Sequence, residues 1–304
     1  MVQSAGKYGF IDSRGRLVVP PTLHAASDFS DGVAVVMPTA GSGEIIDPSG
    51  KTLAKLPLYK SVQPFSEGLA VVMRDENHWG FMNVSGQLAI AAQFRAAMEF
   101  SEGLAAAADS SGRWGWIDRT GHFVVPPQFD GGGGFREGLA RFGLGNKSGY
   151  VDRTGKVIVE ATFFTALDFS EGLGLVWDGT SKRFLDKTGT VAIEVPPGAT
   201  ADSFHGGLAA FNAGDNHAFM DPSGKAVLKP RYDWVSSFSE GLAPVRVGGK
   251  DDGKWGSIDK SGKLIIAPQF SVKPVFKNGL AKIKTPQGFG YIDRTGAWVW
   301  KPSK

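Results

Sequence analysis

Short runs of alternating hydrophobic and polar residues recur along the whole chain and end at glycine-containing turns. In the stretch Glu99–Pro127, EFSEGLAAAADSSGRWGWIDRTGHFVVPP, Trp114 and Trp116 fall on one face of a predicted strand. The Asp-x-x-Gly segment that begins at Asp118 suits a type I turn, which closes a hairpin with a glycine bulge. The β-branched run after it ends at Pro126, because proline cannot donate a hydrogen bond to a sheet. This pattern predicts strands and turns, and it shows no sustained helical periodicity.

The Asp-x-x-Gly turn recurs at intervals of about 35 residues. Its glycines are Gly15, Gly50, Gly86, Gly121, Gly155, Gly189, Gly224, Gly262 and Gly296. A Phe-x-x-Gly turn recurs eight times in the same rhythm, preceded by irregular linkers and followed by strands of small residues. A fixed period of this length indicates a solenoid, a propeller or another tandem array. We therefore predict an all-β fold in which three-stranded antiparallel repeats form a single array over residues 1–304.

The count of motifs bears on whether the array is open or closed. There are nine hairpins but eight Phe-x-x-Gly strands, and residues 1–7 are taken as a polar lead. A ring of eight units leaves one hairpin over, and a ring of nine lacks one strand. An open superhelical β-solenoid accommodates both ends, so the count favours it. The alternative is a closed, propeller-like ring of eight or nine small blades, since runs such as Leu104–Ala107 suit a crowded axis.

These motifs resemble the WG repeat of bacterial proteins. Lys254–Asp259, with the sequence KWGSID, and Phe238–Ala243, with the sequence FSEGLA, match the signature of that family closely, as do Trp79-Gly80 and Trp114-Gly115. The resemblance covers nearly the whole chain. It implies an interaction or envelope-associated protein, and it transfers no catalytic residues.

Four repeats depart from the Trp-Gly pattern. The aromatic residue before the glycine is Tyr8, Trp79, Trp114, Trp255 or Phe289 in five repeats, and the aligned residues in the others are Gly43, Ser148, Lys182 and His217. The glycine itself is replaced by Glu44, Arg183 and Ala218. In these repeats neighbouring residues must do whatever the tryptophan does elsewhere.

Composition and charge exclude several classes of function. The 304 residues are 42% hydrophobic, enough to bury a large core, and the net charge of +3 comes from mixed charges without a basic stripe. Nucleic acid is therefore not expected as a partner. No apolar run approaches the length of a membrane span. The absence of cysteine excludes disulfides and thiolate metal sites, and no cofactor is expected.

The start of the chain bears on its location. Tyr8 already belongs to the first predicted strand, so no signal peptide is recognised. The chain as it stands is expected in the cytoplasm, or in the periplasm or outside the cell if a leader has been removed.

Three sets of polar residues are candidates for chemistry. An acidic residue precedes the Phe-x-x-Gly glycine at Asp31, Glu67, Glu102, Glu137, Glu171 and Glu240. These side chains suggest a ladder that binds cations or a basic partner, but exposed turn residues are the favoured interpretation. The hairpin aspartates supply one carboxylate per loop, too few for calcium. The histidines show no metal-ligand spacing.

The tryptophans outside the repeated position are the candidate binding residues: Trp116, Trp177, Trp234, Trp298 and Trp300. Aromatic side chains that line an array commonly anchor partners or sugar rings. Trp177 and Trp234 are favoured. Trp116 occupies the position of Phe10 and Phe81 in other repeats and fits the core, whereas Trp298 and Trp300 share a strand face that suits the end of an open array.

The favoured hypothesis is a non-catalytic scaffold for protein–protein interaction. The alternative is a protein that binds carbohydrate or a cell-envelope polymer through the off-motif tryptophans. A hydrolase site around Arg183, Glu194, His205 and His217 is disfavoured, because no base–nucleophile pair is recognisable.

Overall fold

The computed structural model describes residues 1–4, 6–213, 216–228, 232–249 and 252–301. Within them the fold is all-β, with thirty-five short strands in nine antiparallel sheets. None of the described residues forms a helix able to cross a membrane. Strands that are consecutive in the chain are neighbours in each sheet, so every sheet is a meander. We call the sheets blades 1 to 9 in chain order.

The strands of blades 1 to 5 have the following bounds. They are β1 Val2–Ser4, β2 Lys7–Ile11 and β3 Leu17–Leu23; β4 Ala25–Ala26, β5 Ala34–Met37, β6 Gly43–Ile46 and β7 Thr52–Leu56; β8 Ser61–Ser66, β9 Leu69–Asp75, β10 His78–Asn83 and β11 Leu88–Phe94; β12 Ala96–Ala97, β13 Ala105–Ala108, β14 Trp114–Ile117 and β15 Phe123–Phe129; β16 Gly131–Arg136, β17 Leu139–Leu144, β18 Lys147–Asp152 and β19 Val157–Phe163.

The strands of blades 6 to 9 follow. They are β20 Thr165–Ala166, β21 Gly174–Trp177, β22 Lys182–Leu185 and β23 Val191–Glu194; β24 Thr200–Ala201, β25 Ala209–Ala213, β26 Asn216–Met220 and β27 Ala226–Leu228; β28 Trp234–Val235, β29 Leu242–Val247, β30 Lys254–Asp259 and β31 Leu264–Phe270; β32 Phe276–Lys277, β33 Leu280–Thr285, β34 Gly288–Asp293 and β35 Trp298–Trp300.

The chain divides into two compact units. The first comprises Met1–Asp12 and Arg16–Phe164, and the second comprises Ser13–Gly15 and Thr165–Lys304. Blades 1 to 5 therefore belong to the first unit, apart from the turn of the first hairpin, and blades 6 to 9 belong to the second. That all residues form a single array stays a prediction.

The linkers predicted to be irregular contribute a fourth strand to blades 2 to 8, and in blade 9 the added strand β32 is formed by Phe276–Lys277 of the Phe-x-x-Gly turn itself. In blade 4, for example, β12 pairs with β13 through Ala96↔Ala108 and Ala97↔Ala107. The glycine-rich linker of blade 5 pairs as β16, with Gly131 opposite Gly143. Four-stranded antiparallel meanders are the blades of β-propellers. The structure thus confirms the all-β fold and its propeller-type alternative, and it does not show the open solenoid that the motif count favoured.

The N-terminal residues explain why that count was misleading. They are not a polar lead: β1 pairs with β2 through Val2↔Gly9, Gln3↔Tyr8 and Ser4↔Lys7, and Val2 is buried. β1 thus pairs with the second strand of blade 1 in the way that the strand after each Phe-x-x-Gly turn pairs in the other blades. It supplies the ninth strand that the eight Phe-x-x-Gly turns do not account for. The argument from a missing strand was therefore wrong, because a three-residue strand with one buried side chain carries no motif.

Within each compact unit, hydrophobic cores lie between consecutive blades. In several Phe-x-x-Gly turns the phenylalanine packs against an aromatic residue of the preceding blade, as Phe100 does on Phe81 with ring centroids 4.9 Å apart and Phe135 does on Trp116 at 5.7 Å. Phe65 instead lies in a core with Ile45. The small residues Ala105–Ala108 of β13 are buried, but β13 is the second strand of blade 4 and not an edge strand, because β12 pairs on its other side. Because each sheet is hydrophobic on both faces, a blade depends on its neighbours for burial.

The glycine of the Trp-Gly pair permits a close backbone crossing. A Cβ at Gly115 would lie 2.3 Å from the carbonyl oxygen of Val125. At this point the outer strand bulges, because the pairing moves from Trp114↔Phe129 to Trp116↔Val125. In blade 6, where Arg183 replaces the glycine, Arg183↔Glu194 and Phe184↔Ile193 pair regularly instead. Loss of the glycine thus accompanies loss of the bulge.

We expect Gly115→Ala to lower the free energy of unfolding by about 1–3 kcal/mol, because backbone atoms cannot yield to the added methyl group. Urea denaturation measures the change. Gly131→Ala is the matched control, since a Cβ there meets its nearest atom only at 3.9 Å. Equal midpoints for the two variants would contradict the crossing argument.

Candidate functional site

The repeated tryptophan occupies a defined position, which we call the tryptophan slot. In blade 4 the Trp114 ring lies 3.5 Å from where a Cβ of Gly132 would stand, in the first strand of blade 5. It also lies beside the inner strand of its own blade, whose residues Ala106 and Ala108 are buried. The side chain in the slot thus fills the space between one blade and the first strand of the next.

Three of the degenerate slots border cavities. Gly43 lines a cavity of about 370 Å³, Lys182 lines one of about 200 Å³, and His217 lines another of about 200 Å³. Each cavity also includes the residue of the next blade that matches Gly132 in register: Val62, Ala201 and Val235. Replacement of the tryptophan therefore opens a concave site between consecutive blades.

Two of these cavities lie next to each other in the second unit and carry the favoured candidates. Trp177 ends β21 opposite Lys182, lines the cavity of blade 6 and is 38% exposed. Trp234 begins β28, lines the cavity of blade 7 and is 47% exposed. Ala201 lines both cavities. The fold therefore places two exposed indoles beside neighbouring concave sites.

The residue in the slot of blade 7 supports Trp234. The His217 imidazole packs against the Trp234 indole in a tilted arrangement, with ring centroids 5.0 Å apart and an interplanar angle of 45°. In blade 6 the Lys182 ammonium reaches across its slot and donates a hydrogen bond to the Ala199 carbonyl at 3.1 Å. Alignment of the repeats within the chain identifies Lys182 and His217 only as departures from the Trp-Gly pattern. It does not reveal which residues lie next to them in the fold.

Polar groups surround the Trp234 cavity. Asp202, Asn212 and Lys273 are among its lining residues. The Ser237 hydroxyl donates a hydrogen bond to the Asp202 carboxylate at 3.0 Å, which fixes that carboxylate across two blades. The site therefore combines an aromatic surface with a carboxylate, an amide and an ammonium group.

The other predicted tryptophans lie elsewhere. Trp116 is fully buried, and its indole N–H donates to the Gly133 carbonyl at 2.8 Å, so it is a core residue. Trp298 and Trp300 are half-buried in β35. The Trp298 ring packs edge-on against Phe270 of the preceding blade at 6.0 Å, so it contributes to a core between blades.

The acidic residues before the Phe-x-x-Gly glycine connect one blade to the next. The Glu102 carboxylate accepts hydrogen bonds from the backbone N–H groups of Glu137 and Gly138, the latter at 2.9 Å. The serine beside it also reaches across, since the Ser101 hydroxyl donates to the Phe135 carbonyl at 2.6 Å. Equivalent carboxylate bonds join Asp31 to Gly68, Glu67 to Gly103, Glu171 to Gly206 and Gly207, and Glu240 to Asn278 and Gly279. These carboxylates are structural acceptors rather than residues that merely suit an exposed turn.

The hairpin aspartates cap their own turns, as the sequence indicated. The Asp118 carboxylate accepts hydrogen bonds from the Thr120 hydroxyl at 2.6 Å, from its N–H at 2.9 Å and from the His122 N–H at 3.1 Å. The Thr120 hydroxyl is the largest cause of a lowered pKa for Asp118. The described residues include no group of three or more His, Cys, Asp or Glu side chains able to hold a metal ion.

The blades and their motifs define a β-propeller-type repeat protein, a class that commonly serves as a scaffold for interactions and is typically non-catalytic. The model of the WG containing repeat matches residues 8–37, 45–77, 79–108, 114–147, 149–176, 218–250 and 255–285. The chain belongs to this repeat family. The search of curated proteins found no match.

Two solved structures share the fold at low sequence identity. A crystal structure of the eukaryotic initiation factor has a TM-score of 0.69 and 15% identity, and the match covers 97% of this chain and 93% of that chain. A crystal structure of the computationally designed Ika8 protein has a TM-score of 0.54 and 14% identity, with coverage of 91% and 95%. At these identities the likeness concerns the fold alone.

We expect Glu102→Ala to lower the free energy of unfolding by about 1–3 kcal/mol, because the Glu137 and Gly138 amides lose a charged acceptor. Chemical denaturation measures the loss. The control is Glu99→Ala, an exposed glutamate three residues earlier, which should change stability by less than about 0.5 kcal/mol. A stability loss no larger than that of the control would show that the bonds between blades contribute little.

The hairpin aspartates predict acid sensitivity. A carboxyl whose pKa is lower in the folded state stabilises the fold above its unfolded pKa of about 3.9, and this stability is lost as the pH falls through the folded pKa. Asn83 already makes the same bonds in blade 3 without titrating. We therefore expect Asp118→Asn to melt close to the parent at neutral pH and to lose less stability below about pH 4. An equal fall in melting temperature on acidification for the variant and the parent would contradict this role.

Proposed function

We propose that the protein is a non-catalytic scaffold that binds a partner protein through blades 6 to 8, with Trp177 and Trp234 as anchors. The observation that carries this proposal is the placement of both off-motif indoles, exposed, at neighbouring cavities of the second unit. Tryptophans beside concave sites dominate the binding energy of many protein interfaces. Blades 6 and 7 lack the slot tryptophan found at Trp79, Trp114 and Trp255, and each has a concave site that suits a partner's side chain.

The chemistry around the anchors supports a partner with an apolar side chain flanked by hydrogen-bond acceptors. The Trp177 cavity is bordered by Leu167, Leu175 and Val176, which suit an aliphatic or aromatic group. Lys182 and Lys273 place cations at the two cavities. Charges at the edge of an interface contribute more to association rate and specificity than to affinity.

Two of the residues of the disfavoured hydrolase hypothesis, Arg183 and His217, have other partners. The Arg183 guanidinium pairs with the Asp178 carboxylate. That carboxylate accepts backbone hydrogen bonds from Ser181 and Thr180, which lower the pKa of Asp178 to about 2. The His217 ring lies on Trp234. These contacts support a scaffold over a hydrolase.

A second candidate function is recognition of carbohydrate or a cell-envelope polymer. It is favoured by the Trp234 cavity, where an exposed indole stands beside Asp202, Asn212 and Lys273. An indole face can stack on a sugar ring while such polar groups bond its hydroxyls. The Trp234 cavity alone is smaller than the surface that a protein–protein interface buries. The carbohydrate hypothesis therefore concerns this one cavity, whereas the partner-protein proposal includes both.

We expect Trp177→Ala and Trp234→Ala each to weaken binding of the purified partner at least about tenfold, as loss of an anchor does. The partner is first recovered in stoichiometric amount by pull-down and then measured by calorimetry. Leu88→Ala is the matched control, because Leu88 is 43% exposed on blade 3 of the first unit and should bind as the parent does. Unchanged affinity for the partner in both tryptophan variants would contradict the proposal. Glycan-array binding that both variants abolish would favour the second function instead.

A further inference from the structure

The largest of the three cavities lies in the first unit, away from blades 6 to 8. It has a volume of about 370 Å³ and lies between blades 2 and 3, beside Gly43. Its lining includes Ala26, Val35, Met37, Leu56, Tyr59 and Val62. A volume of this size falls within the range of small-molecule sites, roughly 300–1,000 Å³.

The strand register shows that this cavity is an empty tryptophan slot. In blade 4, Trp114 pairs with Ala108 and Phe129. In blade 2, Gly43 pairs with Leu56, and its place in β6 sets it opposite Met37, which pairs with Ala25 as Ala108 pairs with Ala96. Gly43 therefore stands where the repeats at Tyr8, Trp79, Trp114, Trp255 and Phe289 carry an aromatic ring.

The burial of the surrounding residues shows what the ring covers elsewhere. Ala106 and Ala108 are buried in blade 4, beside Trp114. The equivalent residues of blade 2, Val35 and Met37, are only half-buried although they are larger and more hydrophobic. The cavity exposes apolar surface that a side chain in the slot would cover, and recovery of this burial favours an apolar ligand.

We propose that this cavity binds a planar aromatic ring of the size of indole, in place of the missing tryptophan side chain. The walls that receive an indole within the same chain at Trp114 have counterparts here in Met37, Leu56 and Val62.

A polar group gives the site a means to orient its ligand. Tyr59 lines the cavity, and its hydroxyl is neutral near pH 7 even at the ordinary tyrosine pKa, which burial raises further, so it can donate and accept a hydrogen bond. An indole N–H needs an acceptor when it leaves water. The ring can come from a free small molecule or from an aromatic side chain of a partner protein, because both present the same chemistry.

The test is a titration of the intact protein with indole, followed by calorimetry and ligand-observed NMR. We expect saturable binding at one site. Gly43→Trp should weaken it at least about tenfold and raise the melting temperature, because the residue's own ring fills the slot. The backbone of Gly43 does not have a positive φ, and an added Cβ meets Leu56 at 3.2 Å, so a small shift of that side chain accommodates it.

A second variant guards against misfolding. Ala25→Phe narrows the same cavity from the opposite strand and should also weaken binding, whereas Leu88→Ala should bind as the parent does.

Short peptides with one central Trp, Phe or Ala distinguish the two sources of the ring. Trp peptides that bind more tightly than free indole identify a partner's side chain, and the reverse order identifies a small molecule. Absence of indole binding at millimolar concentration, or unchanged binding by folded Gly43→Trp, would overturn the proposal.

Discussion

The hydrogen bonds between consecutive Phe-Ser-Glu-Gly turns are the interaction on which the rest of the structure depends. Glu102 holds a positive φ of 55°, a conformation that residues other than glycine rarely adopt. Its carboxylate is thereby aimed at the amides of the next turn, and the bonds it accepts offset the conformational cost. The adjacent Ser101 hydroxyl bonds to the same following turn, whereas Phe100 packs on Phe81 of the preceding blade, so one short motif contacts both neighbouring blades.

Features that depend on local sequence were predictable, and features that depend on distant partners were not. The capped hairpin at Asp118 and the crowded strand at Ala105–Ala108 follow from turn chemistry and residue size. β1 and the linker strands were missed, because they are short and are defined by pairing rather than by a motif. The role of Glu102 was missed for a similar reason, since its bonding partners lie 35 and 36 residues away. Trp177 and Trp234 were recognisable as off-motif aromatics, but the cavities beside them required the register between blades.

Degeneracy of the repeat has two separate structural effects. Loss of the glycine removes the bulge in the outer strand, as the regular pairing of Arg183 shows. Loss of the preceding tryptophan removes the side chain that fills the space between blades, and Gly43, Lys182 and His217 each border a cavity as a result. The regular repeats thus maintain the fold, while the irregular ones provide surfaces whose chemistry differs from blade to blade.

The direction of the carboxylate bonds bears on how the chain acquires its structure. In every described bond of this kind the accepting carboxylate comes earlier in the chain, and the donating amide follows 35 to 39 residues later. Contacts of such limited sequence separation require little loop closure, and they favour folding that spreads from one pair of neighbours to the next. During synthesis each new blade emerges beside a turn that already presents its acceptors, so the ribosome delivers the segments in the order in which they can be bound.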